Sequence, residues 1–143
     1  MTVHEMTTRV LYAHTDKAGV VYYANYLQFF EMGRTEYFRA LGRSYADFER
    51  LGVLLTVVDA HLRYLGPATY DDVITIRTWV TRIRRTRIDF AYEILDPAAQ
   101  PICRGSTTLG CIDATSYRPR PLPEEMISLL DGATVMTDAS PSA

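Results

Sequence analysis

The hydrophobic and polar positions of this chain follow a helical period near the N-terminus and a strand-like pattern afterwards. From about residue 23 to residue 41, apolar residues recur at three- and four-residue steps, the spacing of one helix face. That face consists of Tyr26, Phe29, Phe30, Gly33, Tyr37 and Leu41. The pattern therefore predicts one long amphipathic helix, which Gly42 ends.

Runs rich in β-branched and aromatic residues predict five strands, at residues 5–12, 54–64, 73–83, 87–95 and 101–113. Two short helices are also predicted, one behind a capping box at Ser44 and one over residues 122–130. The last four strands follow one another and can pair as hairpins. We therefore predict an α+β fold in which the long helix packs on a five-stranded antiparallel sheet.

Length and composition are typical of one globular domain. The chain has 143 residues, of which 48% are hydrophobic and 22% charged. We predict a single domain over residues 1–132 and a disordered tail over residues 133–143, where the side chains are small and polar. The edges of such a sheet need cover, so we expect a homodimer or a homotetramer.

Charge and apolar runs limit the classes of partner. A net charge of −2 gives no general attraction to nucleic acid or to an anionic membrane. No apolar run reaches the ~20 residues of a membrane helix, and the first residues lack the features of a signal peptide. We therefore expect a cytoplasmic protein. Cys103 and Cys111 fall on one predicted strand, too far apart for a disulfide, and are expected to be buried thiols.

Several common catalytic signatures are missing from the sequence. It contains no G-x-S-x-G motif, no P-loop and no G-x-G-x-x-G loop. The three histidines lack the spacing of metal ligands, so no metal site is expected. What remains is the polar turn at residues 14–19, whose carboxylate, Asp16, precedes the long helix. Free backbone N–H groups at a helix start can bind developing negative charge.

A specific motif begins at this carboxylate. Residues 16–26 read Asp-Lys-Ala-Gly-Val-Val-Tyr-Tyr-Ala-Asn-Tyr and match D-x-x-G-x-V-x-[YH]-x-N-Y throughout. With this motif the chain resembles the 4-hydroxybenzoyl-CoA thioesterase family, and weaker similarity covers roughly residues 5–130. The resemblance implies a hotdog fold, in which a curved antiparallel sheet wraps around the central helix, and assembly into dimers or tetramers. It also implies hydrolysis of acyl-CoA thioesters, with CoA as part of the substrate and no cofactor.

The resemblance also assigns roles to single residues. Asp16 matches the catalytic carboxylate, and Tyr23 matches the position whose backbone N–H polarises the thioester carbonyl. Gly19, Val21 and Asn25 match further motif positions and are expected at the substrate site. The chemistry agrees, because Asp16 can activate water or attack the carbonyl itself. The Tyr23 N–H, with the helix dipole behind it, can stabilise the oxyanion.

Two further groups are candidates for substrate binding. Glu31, on the long helix, is predicted to line the acyl pocket and is the alternative catalytic carboxylate. Four arginines cluster between the third and fourth predicted strands; we call residues 82–87 the arginine turn. Arg84 and Arg85 are the residues expected to contact the phosphates of CoA, because a guanidinium group matches phosphate geometry. The other interpretation of this cluster is an ordinary solvated hairpin.

Other functions remain open at this point. The acyl group could be carried on an acyl carrier protein of a polyketide or fatty-acid pathway instead of on CoA. The protein could also bind acyl-CoA without turnover, although the intact Asp16 motif argues against this. A hotdog dehydratase typically pairs a His with an acid along the central helix, and residues 24–41 contain no His. The sequence does not indicate which acyl group is used.

Overall fold

The computed structural model of the chain describes residues 2–131. Over these residues it contains β1 (His4–Arg9), α1 (Tyr26–Ala40), α2 (Tyr45–Glu49), β2 (Val53–Tyr64), β3 (Val73–Ile83), β4 (Arg87–Leu95), β5 (Pro101–Asp113) and α3 (Glu124–Asp131). The strands form one antiparallel sheet in the order β1-β3-β4-β5-β2. The predicted α+β fold, with one long helix on a five-stranded antiparallel sheet, is confirmed. Residue 132 and the predicted tail lie outside the described residues.

The predicted bounds of β3, β4 and β5 are confirmed, whereas the predicted end of the first strand is wrong. β1 ends at Arg9, and residues Tyr12–His14 form a 3-10 turn. The chain leaves the ladder because the N–H of Leu11 donates to Nδ1 of His14, 2.9 Å away. The long helix likewise begins later than predicted, since a 3-10 turn at Tyr23–Asn25 precedes α1.

The aromatic face of α1 packs on the sheet. Its buried residues are Tyr26, Phe29, Phe30, Gly33, Tyr37 and Phe38. The ring of Phe30 stacks on Tyr92 of β4, with centroids 4.2 Å apart. At Gly33 the helix backbone approaches β3 so closely that an added Cβ would lie 2.3 Å from Oγ1 of Thr78. The lack of a side chain at Gly33 therefore lets the helix backbone pack directly on β3.

β2 forms a free edge of the sheet. It pairs with β5 on one side, and residues 56–61 are exposed. Val57 and Val58 expose 46% and 47% of their surface, and a bulge interrupts the pairing beside them. Exposed apolar side chains on an unpaired strand are typical of an interface. The edge is thus a suitable surface for the expected oligomer.

Some reactive side chains lie outside any candidate site. Cys103 and Cys111 are free and buried in β5, as predicted. Burial raises the pKa of Cys103 to about 12, so this thiol is protonated at neutral pH and is a poor nucleophile. Within residues 2–131, no group of three or more His, Cys, Asp or Glu side chains could hold a metal ion. No helix in the same range has both the length and the apolar character needed to cross a bilayer.

Candidate active site

Backbone hydrogen bonds close the turn that carries Asp16. The N–H of Asp16 donates to the carbonyl of Val20 at 2.9 Å, and the N–H of Gly19 donates to the carbonyl of Asp16 at 3.0 Å. Gly19 has a φ of +84°, a conformation that favours glycine. Oδ1 of Asp16 accepts from the N–H of Ala18 at 2.9 Å. Its other oxygen has no partner among the described residues, so an exposed carboxylate is held by one oxygen and free at the other.

The 3-10 turn before α1 exposes unused backbone donors. The N–H of Tyr22 donates to the carbonyl of His14 at 2.9 Å, and that of Asn25 donates to the carbonyl of Tyr22 at 2.8 Å. The N–H groups of Tyr23 and Ala24, between them, meet no acceptor in the part of the chain that the structure describes. Both residues are exposed. A ligand oxygen can therefore accept from these groups.

Short-range pairing brings the carboxylate and the free donors to the same end of α1. Thr15 and Val21 form an antiparallel bridge. The pKa of the Tyr22 hydroxyl is raised, first by its hydrogen bond with the Tyr23 side chain and to a smaller extent by the negative charge of Asp16. The bridge and the hydrogen bond from Tyr22 to His14 place the Asp16 turn next to the residues that precede α1.

The remaining motif residues shape this loop. Val21 is 5% exposed, and its N–H donates to the carbonyl of Ala68 at 2.8 Å. Nδ2 of Asn25 donates to the carbonyl of His14 at 2.8 Å. An added Cβ at Gly19 would meet nothing within 4 Å, so the space over the turn is open. Val21 and Asn25 thus anchor the turn through hydrogen bonds, and the open space beside Gly19 leaves the turn accessible to a ligand.

His14 supports the same loop as a neutral ring. Its Nδ1 accepts a hydrogen bond from the N–H of Leu11, which requires that this nitrogen carry no proton. The ring meets Phe29 edge-on, with centroids 4.9 Å apart. Burial lowers the pKa of His14, in agreement with a neutral ring. The contacts of His14 are therefore those of a residue that supports the loop.

The sequence analysis missed one residue that contacts this site. Tyr64, the last residue of β2, donates its hydroxyl hydrogen bond to the carbonyl of Tyr23 at 2.9 Å. Its ring also meets the rings of Tyr23 and Tyr26 edge-on, at 6.3 and 5.5 Å between centroids. Tyr64 and Tyr23 are 41 residues apart in the sequence, so no local pattern predicts this contact. The available signal was the weaker family similarity over residues 5–130, which includes Tyr64.

Glu31 lies farther along α1, away from Asp16. It is eight residues after Tyr23, which corresponds to about 12 Å along a helix. Glu31 and Thr35 border two grooves, one of about 430 Å³ and one of about 270 Å³. The smaller groove is also lined by Arg34, Phe38, Tyr45, Leu55 and Leu109. Neither Asp16 nor Tyr23 lines either groove, so one chain does not bring Glu31 and Asp16 together.

The arginine turn lies at the opposite end of the sheet from Asp16. β3 begins at Val73, which pairs with Arg9 just before the Asp16 segment, and it ends at Ile83. Ten residues of strand span about 33 Å. Arg84 and Arg85 therefore do not join the Asp16 turn of their own chain.

The arginines of the turn differ in their partners. Nη2 of Arg84 donates to Oδ1 of Asp89 at 2.6 Å, which ties this side chain to β4. Arg82, Arg85 and Arg87 are exposed, and none of them forms an ion pair with another described residue. Arg85 is thus the freer of the two arginines predicted to bind phosphate.

Comparisons with known proteins agree with this fold. Residues 10–130 match the family described as the thioesterase-like superfamily. The Bacillus subtilis protein YneP is 35% identical over 119 residues, which cover 83% of this chain and 86% of the relative. The Escherichia coli acyl-CoA thioester hydrolase YbgC is 31% identical over 127 residues, covering 89% and 95%.

A solved structure extends the likeness to three dimensions. DHNA-CoA thioesterase from Staphylococcus aureus superposes with a TM-score of 0.89 at 32% identity, covering 92% of this chain and 91% of that one. The predicted hotdog fold, a curved sheet around the central helix, is thereby confirmed. The chain belongs to the thioesterase-like superfamily.

Proposed function

We propose that this thioesterase hydrolyses an acyl-CoA thioester to a free acid and CoA. One observation carries the proposal. A carboxylate oxygen of Asp16 and the N–H of Tyr23, both without a partner among the described residues, lie at the same end of α1. The names of the relatives favour CoA, because the E. coli protein is called an acyl-CoA thioester hydrolase and the S. aureus protein a DHNA-CoA thioesterase. A carrier-protein thioester is the substrate to compare with it.

The Tyr23 N–H would stabilise the oxyanion. The thioester carbonyl approaches the start of the 3-10 turn and accepts from this N–H, which needs no rearrangement because no acceptor among residues 2–131 occupies it. The turn runs directly into α1, so the helix dipole adds to the donor. Negative charge grows on the carbonyl oxygen in the transition state, so the donor lowers the barrier more than it strengthens binding of the substrate.

Asp16 has two routes to the carbonyl carbon. As a base, it takes a proton from water while the water oxygen attacks, and the CoA sulfur leaves as a thiolate that recovers this proton. As a nucleophile, its free oxygen attacks, the thiolate leaves, and water then hydrolyses the mixed anhydride. Both routes need an ionised carboxylate in a fixed orientation, which the hydrogen bond from Ala18 provides.

Pairing of two β2 edges would complete the substrate site. At the C-terminal end of β2, Tyr64 contacts Tyr23. Near its N-terminal end, Thr56 pairs with Gly110 of β5. Gly110 in turn pairs with Arg87, the last residue of the arginine turn. A strand that pairs with its own copy across a two-fold axis runs antiparallel to it. The arginine turn of one copy therefore comes to the Asp16 end of the other.

The distance across such a dimer suits CoA. The distance from β2 of one copy to β4 of the other is three strand spacings, or about 14 Å. The extended pantetheine arm of CoA can span this gap, with the thioester at Asp16 and the phosphates at the exposed arginines. Arg85 and its neighbours would then bind phosphates for the partner's active site.

The decisive experiment replaces Asp16 with Asn. The amide keeps an oxygen for the N–H of Ala18 but has neither charge nor basicity, so we expect kcat to fall by about 10²–10⁴ while KM changes little. The fold should survive, because the loss of a single polar cap contact costs about 1–2 kcal/mol at most. Activity would be measured on aryl, short-chain and long-chain CoA esters and on the matching carrier-protein esters.

Glu31→Gln is the matched control, because it neutralises the alternative carboxylate. It should retain most of the kcat of the wild type. A folded Asp16→Asn protein that keeps more than about a tenth of the kcat would refute the assignment, and a concurrent loss in Glu31→Gln would transfer it to Glu31. Faster turnover of the carrier-protein esters than of the CoA esters would show that the substrate is an acyl carrier protein thioester.

A further inference from the structure

The hydroxyl of Tyr64 connects the sheet to the turn that carries the oxyanion donor. It donates to the carbonyl of Tyr23 at 2.9 Å. Among residues 2–131 this is the only side-chain hydrogen bond from β2 to that turn or to α1. Tyr64 itself is held by the ladder, where it pairs with Cys103 of β5. A rigid strand end therefore restrains one carbonyl of a short turn.

This hydrogen bond acts on the peptide group that follows the donor. The carbonyl of Tyr23 and the N–H of Ala24 belong to one planar trans unit and point in opposite directions. The carbonyl also accepts from the N–H of Tyr26, which begins α1. A second donor, from outside the turn, limits rotation of this plane, and with it the orientation of the Tyr23 backbone. It also polarises this amide and strengthens the N–H of Ala24, the second unused donor of the turn.

We propose that Tyr64 is a positioning residue of the thioesterase reaction, whose hydroxyl orients the first peptide groups of the 3-10 turn so that the Tyr23 N–H points at the thioester carbonyl. This role rests on the proposed function. The hydroxyl touches no reacting atom, because its partner is a backbone carbonyl. Its contribution is to a preorganised donor and so falls on the transition state.

The surroundings of Tyr64 in the single chain differ from those of the core tyrosines. Its side chain is 47% exposed, in contrast to Tyr37 and Tyr92, which are buried in the core. Its hydroxyl directs a well-formed hydrogen bond at a turn whose Tyr23 and Ala24 N–H groups have no acceptor among the described residues. Removing the hydroxyl leaves the ring and its edge-on contacts with Tyr23 and Tyr26 in place. The hydroxyl can therefore be tested separately from the packing.

The test compares Tyr64→Phe with Tyr70→Phe. Tyr70 is a suitable control because it is 57% exposed, contacts Tyr12 through its ring, and makes no hydroxyl hydrogen bond with the described residues. In Tyr64→Phe we expect kcat to fall about 5- to 50-fold, less than the ~10²–10³-fold that follows removal of an oxyanion donor. KM and the melting temperature should stay near the wild-type values. Tyr70→Phe should match the wild type in all three.

A second readout does not depend on turnover. Nuclear magnetic resonance of the wild type and of Tyr64→Phe should show a shifted carbonyl carbon for Tyr23 and shifted amide signals for Tyr23 and Ala24. Unchanged signals, an unchanged kcat, or a rise in KM with constant kcat would each overturn the role of Tyr64. A wild type that hydrolyses no thioester would overturn the proposed function and this role with it, whereas an active wild type with an equally active Tyr64→Phe overturns only the role.

Discussion

Gly33 lets the backbone of α1 approach β3 closely. A Cβ there would lie 2.3 Å from Oγ1 of Thr78 and 2.9 Å from Cγ2 of Ile76. Alanine gains about 1 kcal/mol of helix propensity, but overpacking of this kind costs about 1–3 kcal/mol. We expect Gly33→Ala to lower the free energy of unfolding by up to about 2 kcal/mol, measured by denaturant titration at fixed protein concentration.

The control for Gly33→Ala is a second substitution that removes side-chain atoms from β3 opposite residue 33. Thr78→Ala removes the closest atom, so Gly33→Ala combined with Thr78→Ala should be more stable than the sum of the two single effects predicts. A Gly33→Ala protein as stable as the wild type would show that α1 can move off the sheet. Such a shift would also displace the turn at the start of α1, so kcat should be recorded for each variant.

The residues of the site differ in how far sequence could predict them. Asp16 and Tyr23 belong to one contiguous motif, so their proximity follows from local hydrogen bonds within a few residues. Tyr64 contacts the same turn from 41 residues away, and its role depends on the register of β2, which no local pattern encodes. Glu31 shares α1 with the site, yet the helical rise separates it from Asp16.

At the level of elements, strands with strong apolar patterns were predicted to the residue, as in β3, β4 and β5. β1 was predicted too long because its end depends on a side-chain contact, the hydrogen bond from the N–H of Leu11 to Nδ1 of His14. Val10 still donates its N–H to the carbonyl of Asp72, and its side chain is fully buried. The arginine turn was located correctly in the sequence, but its position at the far end of the sheet follows from strand length and pairing.

The arginine turn yields a prediction that separates its members. Arg85 is exposed and has no ion-pair partner in the described part of the chain, whereas Arg84 is tied to Asp89. If the turn binds CoA phosphates, Arg85→Ala should raise KM about 3- to 30-fold with little change in kcat, because a charge-assisted contact made equally in ground and transition states is lost. Steady-state kinetics with an acyl-CoA ester measures this.

A truncated substrate provides the control for the arginines. An acyl-pantetheine thioester lacks the phosphates of the nucleotide part, so Arg85→Ala should leave its kinetics unchanged. Arg84→Ala is expected to lower stability slightly as well, because a partly exposed ion pair contributes up to about 1 kcal/mol. An equal loss on both substrates would disprove phosphate binding by Arg85.

For the whole molecule, the free edge of β2 connects assembly to activity. One copy contains Asp16 and the free donors at one end of the sheet and the exposed arginines at the other. Antiparallel pairing of two β2 edges brings the Asp16 end of each copy next to the arginines of the other, so the dimer has two complete sites. The same pairing would cover Val57 and Val58, which are exposed in the single chain. Dimer formation and phosphate binding are therefore expected to fail together.

Val57→Lys tests this link, since a charged residue on an edge strand opposes strand pairing. The wild type should scatter light as a multiple of the 16.2 kDa chain at micromolar concentration, and the variant should shift toward a single chain. Its KM for acyl-CoA should rise, while that for acyl-pantetheine rises less. Leu51→Lys, at a 38% exposed position outside β2, should leave mass and kinetics unchanged. A single-chain wild type, or a single-chain Val57→Lys variant with unchanged kinetics on acyl-CoA, would contradict the shared active site.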